Sequence, residues 1–215
     1  MKDKEIILFD LDGTLTDPKE GITKSYQYAL SAFGIEENPD DMVRFIGPPL
    51  RETISRHYGF SPADTEKAVA KFREYFSETG LLQNAVYPGV PELLQALYDS
   101  GRTLAVATNK AAVYTRRILE HFGLARYFAF VSGDEMDGSL TKNGKREIIR
   151  IALEAVGSTN AVMIGDRKHD IIGAIEAGID SVGVLYGYGS REELADAGAT
   201  VIAESVEALS KIWKG

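Results

Sequence analysis

The chain has no cysteine, which excludes a disulfide framework and any thiolate metal site. A bound metal would have to be held by oxygen or by imidazole, and histidine is scarce, three residues in 215. Long apolar runs are also missing. Lys2 and Lys4 precede an apolar stretch, Ile6 to Phe9, that Asp10 cuts off far short of a signal h-region or a spanning helix. This predicts a cytoplasmic protein. Positive charge is in deficit, with 24 Lys and Arg against 32 Asp and Glu, a net charge of -8 and a pI near 5.0. Such a balance argues against a nucleic acid polymer or an anionic membrane as partner. An anionic small molecule would need a local source of positive charge. Internal repeats and low-complexity tracts are absent as well.

What is present is the composition of a chain that folds by itself: 44% hydrophobic, 26% charged, mean hydropathy -0.13. Short apolar runs recur at Ile6 to Phe9, Leu104 to Ala107, Phe128 to Val131, Ala161 to Ile164 and Val182 to Leu185. They are continuous, not alternating, as strands buried on both faces of a parallel sheet should be. Helix-period faces lie between them: Leu93, Leu94, Leu97; Ile118, Leu119, Phe122; and Ile148, Ile149, Ala152, Leu153, Val156. Gly101, Gly123 and Gly157 close these helices. The pattern predicts an α/β fold, a doubly wound parallel sheet.

Residues 16–85 break the rhythm. They carry no comparable strand run but several signposted helices. Asp17-Pro18-Lys19-Glu20 reads as a capped helix start, Gly34 and Gly59 as stops, and Ser61-Pro62 as a further start. The expected organisation is therefore a discontinuous core, 1–15 and 86–215, with a smaller helical domain over 16–85.

Asp10 and Asp12 fall where the first strand ends, the position at which open parallel sheets bind ligands. The run Phe9-Asp10-Leu11-Asp12-Gly13-Thr14-Leu15 resembles the opening motif of the haloacid dehalogenase-like hydrolase superfamily, and the resemblance extends over essentially the whole chain. Thr108 in Val106-Ala107-Thr108-Asn109-Lys110 matches the second motif. Gly165-Asp166-Arg167-Lys168-His169-Asp170 matches the acidic fourth. The third is a lysine ahead of a helix, and here the sequence departs from the usual Lys-Pro form. Lys142 and Lys145 both precede the face beginning at Ile148; family spacing favours Lys145.

The resemblance implies a phosphatase with Mg²⁺ as cofactor and a small phosphate monoester as substrate. Hydrolysis of such esters needs enhancements near 10²¹-fold, on the order of 20 kcal/mol or more, while one placed donor supplies about 3 to 4 kcal/mol. Several groups must therefore converge. By resemblance, Asp10 is the nucleophile that forms an aspartyl-phosphate and Asp12 the general acid and base. Thr108, the Asn109 amide and Lys145 hold the phosphoryl oxygens. Asp10, the main-chain carbonyl of Asp12 and Asp166 hold the metal, with Asp170 as a ligand or as support for the shell.

The segment 16–85 resembles the family's helical cap, in which Gly47 and Arg51 of the Phe45 to Arg51 stretch are candidates for selecting the substrate. The late run Gly183 to Leu194 resembles a branch of phosphoglycolate phosphatase-like and 5′-nucleotidase-like proteins, and Ser190 with Glu193 reads as a capping box. His57, His121, His169 and Lys24 are assigned no chemistry. A β-phosphoglucomutase-like mutase shares all four motifs, and a silent binding module on the same fold is a further reading. The oligomeric state is left open.

Overall fold

The computed structural model describes residues 1–213; Lys214 and Gly215, at the end of the expected core, lie outside the described residues. The chain divides into two compact units, one formed by the N-terminal 17 residues with the chain from Val86 onward, the other by Pro18–Ala85.

Among the described residues of the first unit, six strands form one parallel sheet: β1 (Ile6–Phe9), β4 (Thr103–Ala111), β5 (Phe128–Asp134), β6 (Ala161–Gly165), β7 (Asp180–Val184) and β8 (Val201–Ala203). Two short strands, β2 (Thr16–Asp17) and β3 (Ala85–Val86), pair with each other where the chain passes between the units. The sheet order is β5-β4-β1-β6-β7-β8. The chain thus builds outward from β1 on one side, then returns to build outward on the other. That reversal makes the C-terminal ends of β1, β4 and β6 a topological switch point, the position at which open parallel sheets bind ligands. Register places Phe9 beside Val106 on one side and Ile164 on the other.

Helices α4 (Val90–Asp99), α5 (Ala112–His121), α6 (Arg146–Val156), α7 (Lys168–Glu176), α8 (Arg191–Asp196) and α9 (Val206–Lys211) belong to the same unit. The face Ile148, Ile149, Ala152 and Leu153 of α6 packs on Ile6, Leu8, Ala105, Ala107 and Met163 of the sheet, all buried. A fully buried Ile or Leu contributes about 1.5 to 3 kcal/mol, so this face alone anchors the helix whose first turn borders the site. Gly157 ends α6 in the left-handed region, φ 75°, with its N–H on the Leu153 carbonyl.

Each of the five apolar runs is a strand, and three differences are instructive. Strand β4 extends past Ala107 to Ala111 because its polar end continues to pair with β5 after a register shift. Strand β8 is a further strand of only three residues on the sheet edge, too short to show as an apolar run. Glu193 does not complete a capping box. Ser190 does accept from its N–H, at 3.0 Å, but the Glu193 carboxylate turns instead to Arg167 Nε and the Lys168 N–H, each at 2.9 Å.

The second unit holds α1 (Lys19–Ser31), a 3-10 turn (Pro39–Phe45), α2 (Leu50–Tyr58) and α3 (Pro62–Glu78). Its interior is aromatic: Tyr26 meets Phe45 and Phe72 at centroid distances of 5.3 and 4.9 Å, and Phe72 stacks on Phe76. Such pairs add about 0.5 to 1.5 kcal/mol beyond their burial. Ser61 caps α3, accepting from the Asp64 N–H, and Gly59 ends α2 at φ 63°. Asp17 does not cap α1. Pro18 takes the cap position and Asp17 lies in β2, its carboxylate engaged by the Tyr188 hydroxyl. No helix among the described residues is long and apolar enough to cross a membrane.

Candidate active site

Strand β1 hands over to a tight turn, and four carboxylates gather there from beyond the C-terminal ends of two adjacent strands, β1 and β6. The Asp10 N–H still pairs with Ile164 of β6 at 2.9 Å, while its Oδ1 accepts from the Leu11 N–H at 2.8 Å. Lys145, immediately before α6, reaches the same Oδ1 at 3.0 Å and also donates to Asp170 Oδ1. Asp170, in the first turn of α7, accepts from the Arg167 N–H through Oδ2 at 3.0 Å. Asp166, just past β6, is fully buried and accepts from the Tyr188 N–H at 2.8 Å and the Thr14 hydroxyl at 3.4 Å. One ligand atom each from Asp10, Asp166 and Asp170 lie within 4.8 Å of one another.

The chain crowds Asp166 from two sides. Gly13 takes φ 84° and a Cβ there would run into the Asp166 carboxylate; a Cβ at Gly187 would meet the Gly13 carbonyl and Asp166. Only glycine lets both loops approach this closely.

The cluster carries too little positive charge for its carboxylates. Burial raises the Asp166 carboxyl well above its ordinary value, and repulsion from Asp170 and Asp10 adds to it. Burial pulls the Lys145 ammonium down, but Asp10 and Asp170 reverse this and hold it above its ordinary value. One buried ammonium is thus paired with two of the three carboxylates and leaves Asp166 to its hydrogen bonds. Hard oxygen donors, crowded and undercompensated, fit a divalent cation.

Asp12 stands apart from this trio. Its Oδ2 is paired with Lys110 Nζ at 2.6 Å, and its Oδ1 is buried with no hydrogen-bond partner among the described residues. Burial raises the Asp12 carboxyl; Lys110 opposes the shift and Asp10 adds to it.

Thr108 is buried near the end of β4 and accepts from the Lys110 N–H at 3.3 Å, with Asn109 between them. Lys145 is almost fully buried, whereas Lys142 is exposed. Gly47 and Arg51 belong to the helical unit. There Gly47 takes φ 103°, and the Arg51 guanidinium binds Glu66 through Nε at 2.6 Å and Nη2 at 3.0 Å, joining α2 to α3.

Two features escaped the sequence reading. Lys110 stands beside Thr108 and Asn109 in the sequence, yet nothing around it separates it from a surface lysine. The segment Gly187-Tyr188-Gly189 closes on Asp166, and its signal was the pair of glycines flanking a tyrosine.

Residues 7–184 match the family described as haloacid dehalogenase-like hydrolase. The chain belongs to that family. Among relatives of this haloacid dehalogenase-like hydrolase is a 5′-nucleotidase of Pseudomonas aeruginosa, 47% identical, with 96% of this chain and 94% of that protein covered. Another is the tyrosine-protein kinase PtkA of Mycobacterium tuberculosis, 37% identical over 94% of this chain and 69% of that protein. The crystal structure of a predicted phosphatase from Clostridium acetobutylicum superposes with a TM-score of 0.93 at 45% identity, covering 97% of each chain. These likenesses thus extend over nearly the whole chain, not one motif.

Proposed function

We propose that this haloacid dehalogenase-like phosphatase hydrolyses a small phosphate monoester in the cytoplasm, with Asp10 as nucleophile and Mg²⁺ as cofactor. The observation that carries the reading is the contrast between two carboxylates at one strand end. Asp10 is held by an ammonium and a backbone N–H and sits in the metal-competent trio. Asp12 is buried, raised toward its neutral form and bare at Oδ1. Paired groups with diverging environments divide into nucleophile and acid.

Asp10 attacks phosphorus in line, forming an aspartyl-phosphate as the bond to the leaving oxygen breaks, and Asp12 protonates that oxygen. Water then attacks the same phosphorus, giving its proton to Asp12, and phosphate leaves with Asp10 restored. Thr108, the Asn109 N–H and Lys145 hold the phosphoryl oxygens. Asp10, the Asp12 carbonyl, Asp166 and Asp170 would hold Mg²⁺, which supplies charge neutralisation between carboxylate and phosphate dianion. The helical unit is read as the cap, with Gly47 and Arg51 selecting the leaving group. A phosphoglycolate phosphatase-like or 5′-nucleotidase-like substrate is favoured, the latter supported by the 47% identical relative.

The test is phosphate release from a panel of phosphoglycolate, nucleoside monophosphates, sugar phosphates and phosphotyrosine, with and without Mg²⁺. Activity should require the metal and vanish in Asp10→Asn. Wild-type rates in Asp10→Asn, or no release across the panel, would refute the reading.

A further inference from the structure

The two oxygens of Asp12 are not equivalent. Oδ2 is 2.6 Å from the Lys110 ammonium, while Oδ1 is buried without a hydrogen bond among the described residues. Both side chains are nearly enclosed, at 9% exposure for Lys110 and 10% for Asp12. A buried acceptor left bare is costly, so such an oxygen persists where something else is to meet it. Lys110 reaches Asp12 because β4 runs on to Ala111 and carries it past Thr108.

We propose that Lys110 is a positioning residue that clamps Asp12 Oδ2, leaving Oδ1 to handle the proton. The inference rests on the assignment of Asp10 as nucleophile and Asp12 as acid and base. As the phosphorus to leaving-oxygen bond breaks, the proton on Oδ1 passes to that oxygen. In the second half, the attacking water loses its proton to Oδ1 as the bond between phosphorus and Asp10 breaks. Lys110 keeps its own protons throughout and touches neither substrate nor phosphorus.

Leaving groups separate this role from simple support. An alkyl phosphate expels an alkoxide that needs the proton; p-nitrophenyl phosphate expels a phenolate that does not. In Lys110→Met, kcat for ribose 5-phosphate should fall about 10- to 100-fold, a large part of what a general acid contributes. For p-nitrophenyl phosphate it should fall less than about 3-fold, with KM little changed for either. Combining Lys110→Met with Asp12→Asn should add almost no further loss on the alkyl ester, as expected of residues acting as one unit.

A chemical rescue is open because the chain has no cysteine. Lys110→Cys alkylated with 2-bromoethylamine regains an ammonium at this position alone, and alkyl turnover should recover. If Lys110→Met does not fold, Lys110→Arg keeps the charge but not the geometry of the head group, and it should show the same selective loss on the alkyl ester. Equal losses on both esters, a rise in KM with kcat kept, additive losses with Asp12→Asn, or failed rescue would each overturn the clamp. Asp10→Asn must be inactive on both esters. Full activity there refutes the nucleophile assignment itself, a different failure from loss of the clamp alone.

Discussion

Lys145 in the sheet unit and Arg51 in the helical unit both set a positive charge on carboxylates, under opposite conditions of solvation. The Lys145 side chain is 0% exposed, and its partners Asp170 and Asp10 are 1% and 7% exposed. Arg51 is 30% exposed and Glu66 58%. The exposed pair gains little, because water and salt screen it and two long side chains must be ordered to make it. The buried set costs desolvation that its attractions only partly offset. A fold seeking stability alone would fill the Lys145 position with apolar side chains. That this chain keeps Asp10, Lys145, Asp166 and Asp170 enclosed together places the cluster on the side of function, with stability conceded.

Mutation can break the comparison. Lys145→Met leaves Asp10 and Asp170 buried without their ammonium, and removing one partner of a buried pair costs about 3 to 5 kcal/mol. Urea unfolding of the metal-free protein should show a loss of this size, and phosphate release should fall with it. A cost under about 1 kcal/mol would mean that the cluster is wetter than its burial indicates.

The metal-free cluster should also be sensitive to pH. The Asp166 carboxyl is raised above 3.8 by burial and by its two acidic neighbours, so it binds its proton more tightly in the folded state. The native state then holds more protons than the unfolded one, and stability falls as pH rises from 3.8 through the raised value. Asp12, raised also, acts in the same direction. Glu66, lowered by Arg51, acts in the opposite direction but only below its ordinary 4.5. After chelation, melting temperature should therefore decline as pH is raised from the ordinary carboxyl value of 3.8, and Mg²⁺ should restore most of the loss by binding the native state. A rising melting temperature, or no response to Mg²⁺, would remove the cluster as a metal site.

The smallest effect belongs to the exposed pair. Arg51→Ala should lower stability by less than about 1 kcal/mol. If Arg51 also meets the leaving group, KM should shift for some members of the substrate panel and not others. A uniform KM across the panel would leave Arg51 only its bond to Glu66.

Much of this was legible in the sequence because burial on both faces leaves an uninterrupted apolar run, as in Ile6 to Phe9 and Ala161 to Ile164. Strand β8 was not, since three residues on an edge carry too little signal. Asp10, Asp166 and Asp170 stood out as acids placed at strand ends and in the first turn of the next helix. Lys110 was silent: a lysine after Asn109 has no local mark, and only the length of β4 and its distance from Asp12 give it meaning. Asp17 misled for a related reason. An aspartate before a proline reads as a cap, yet the Tyr188 hydroxyl, 171 residues along the chain, engages it first.

The central position of β1 has a consequence for synthesis. Ile6 takes Thr103 and Ala161 as neighbours, so β1 leaves the ribosome well before either of the strands that flank it. At about 5 to 20 residues per second, its first partner arrives roughly 5 to 20 s after it and its second roughly 8 to 30 s after it. Through that interval an apolar strand waits with both edges open, beside the aspartate proposed to carry the chemistry. The nascent chain is therefore most exposed to mispairing before any of its enzymatic parts can meet.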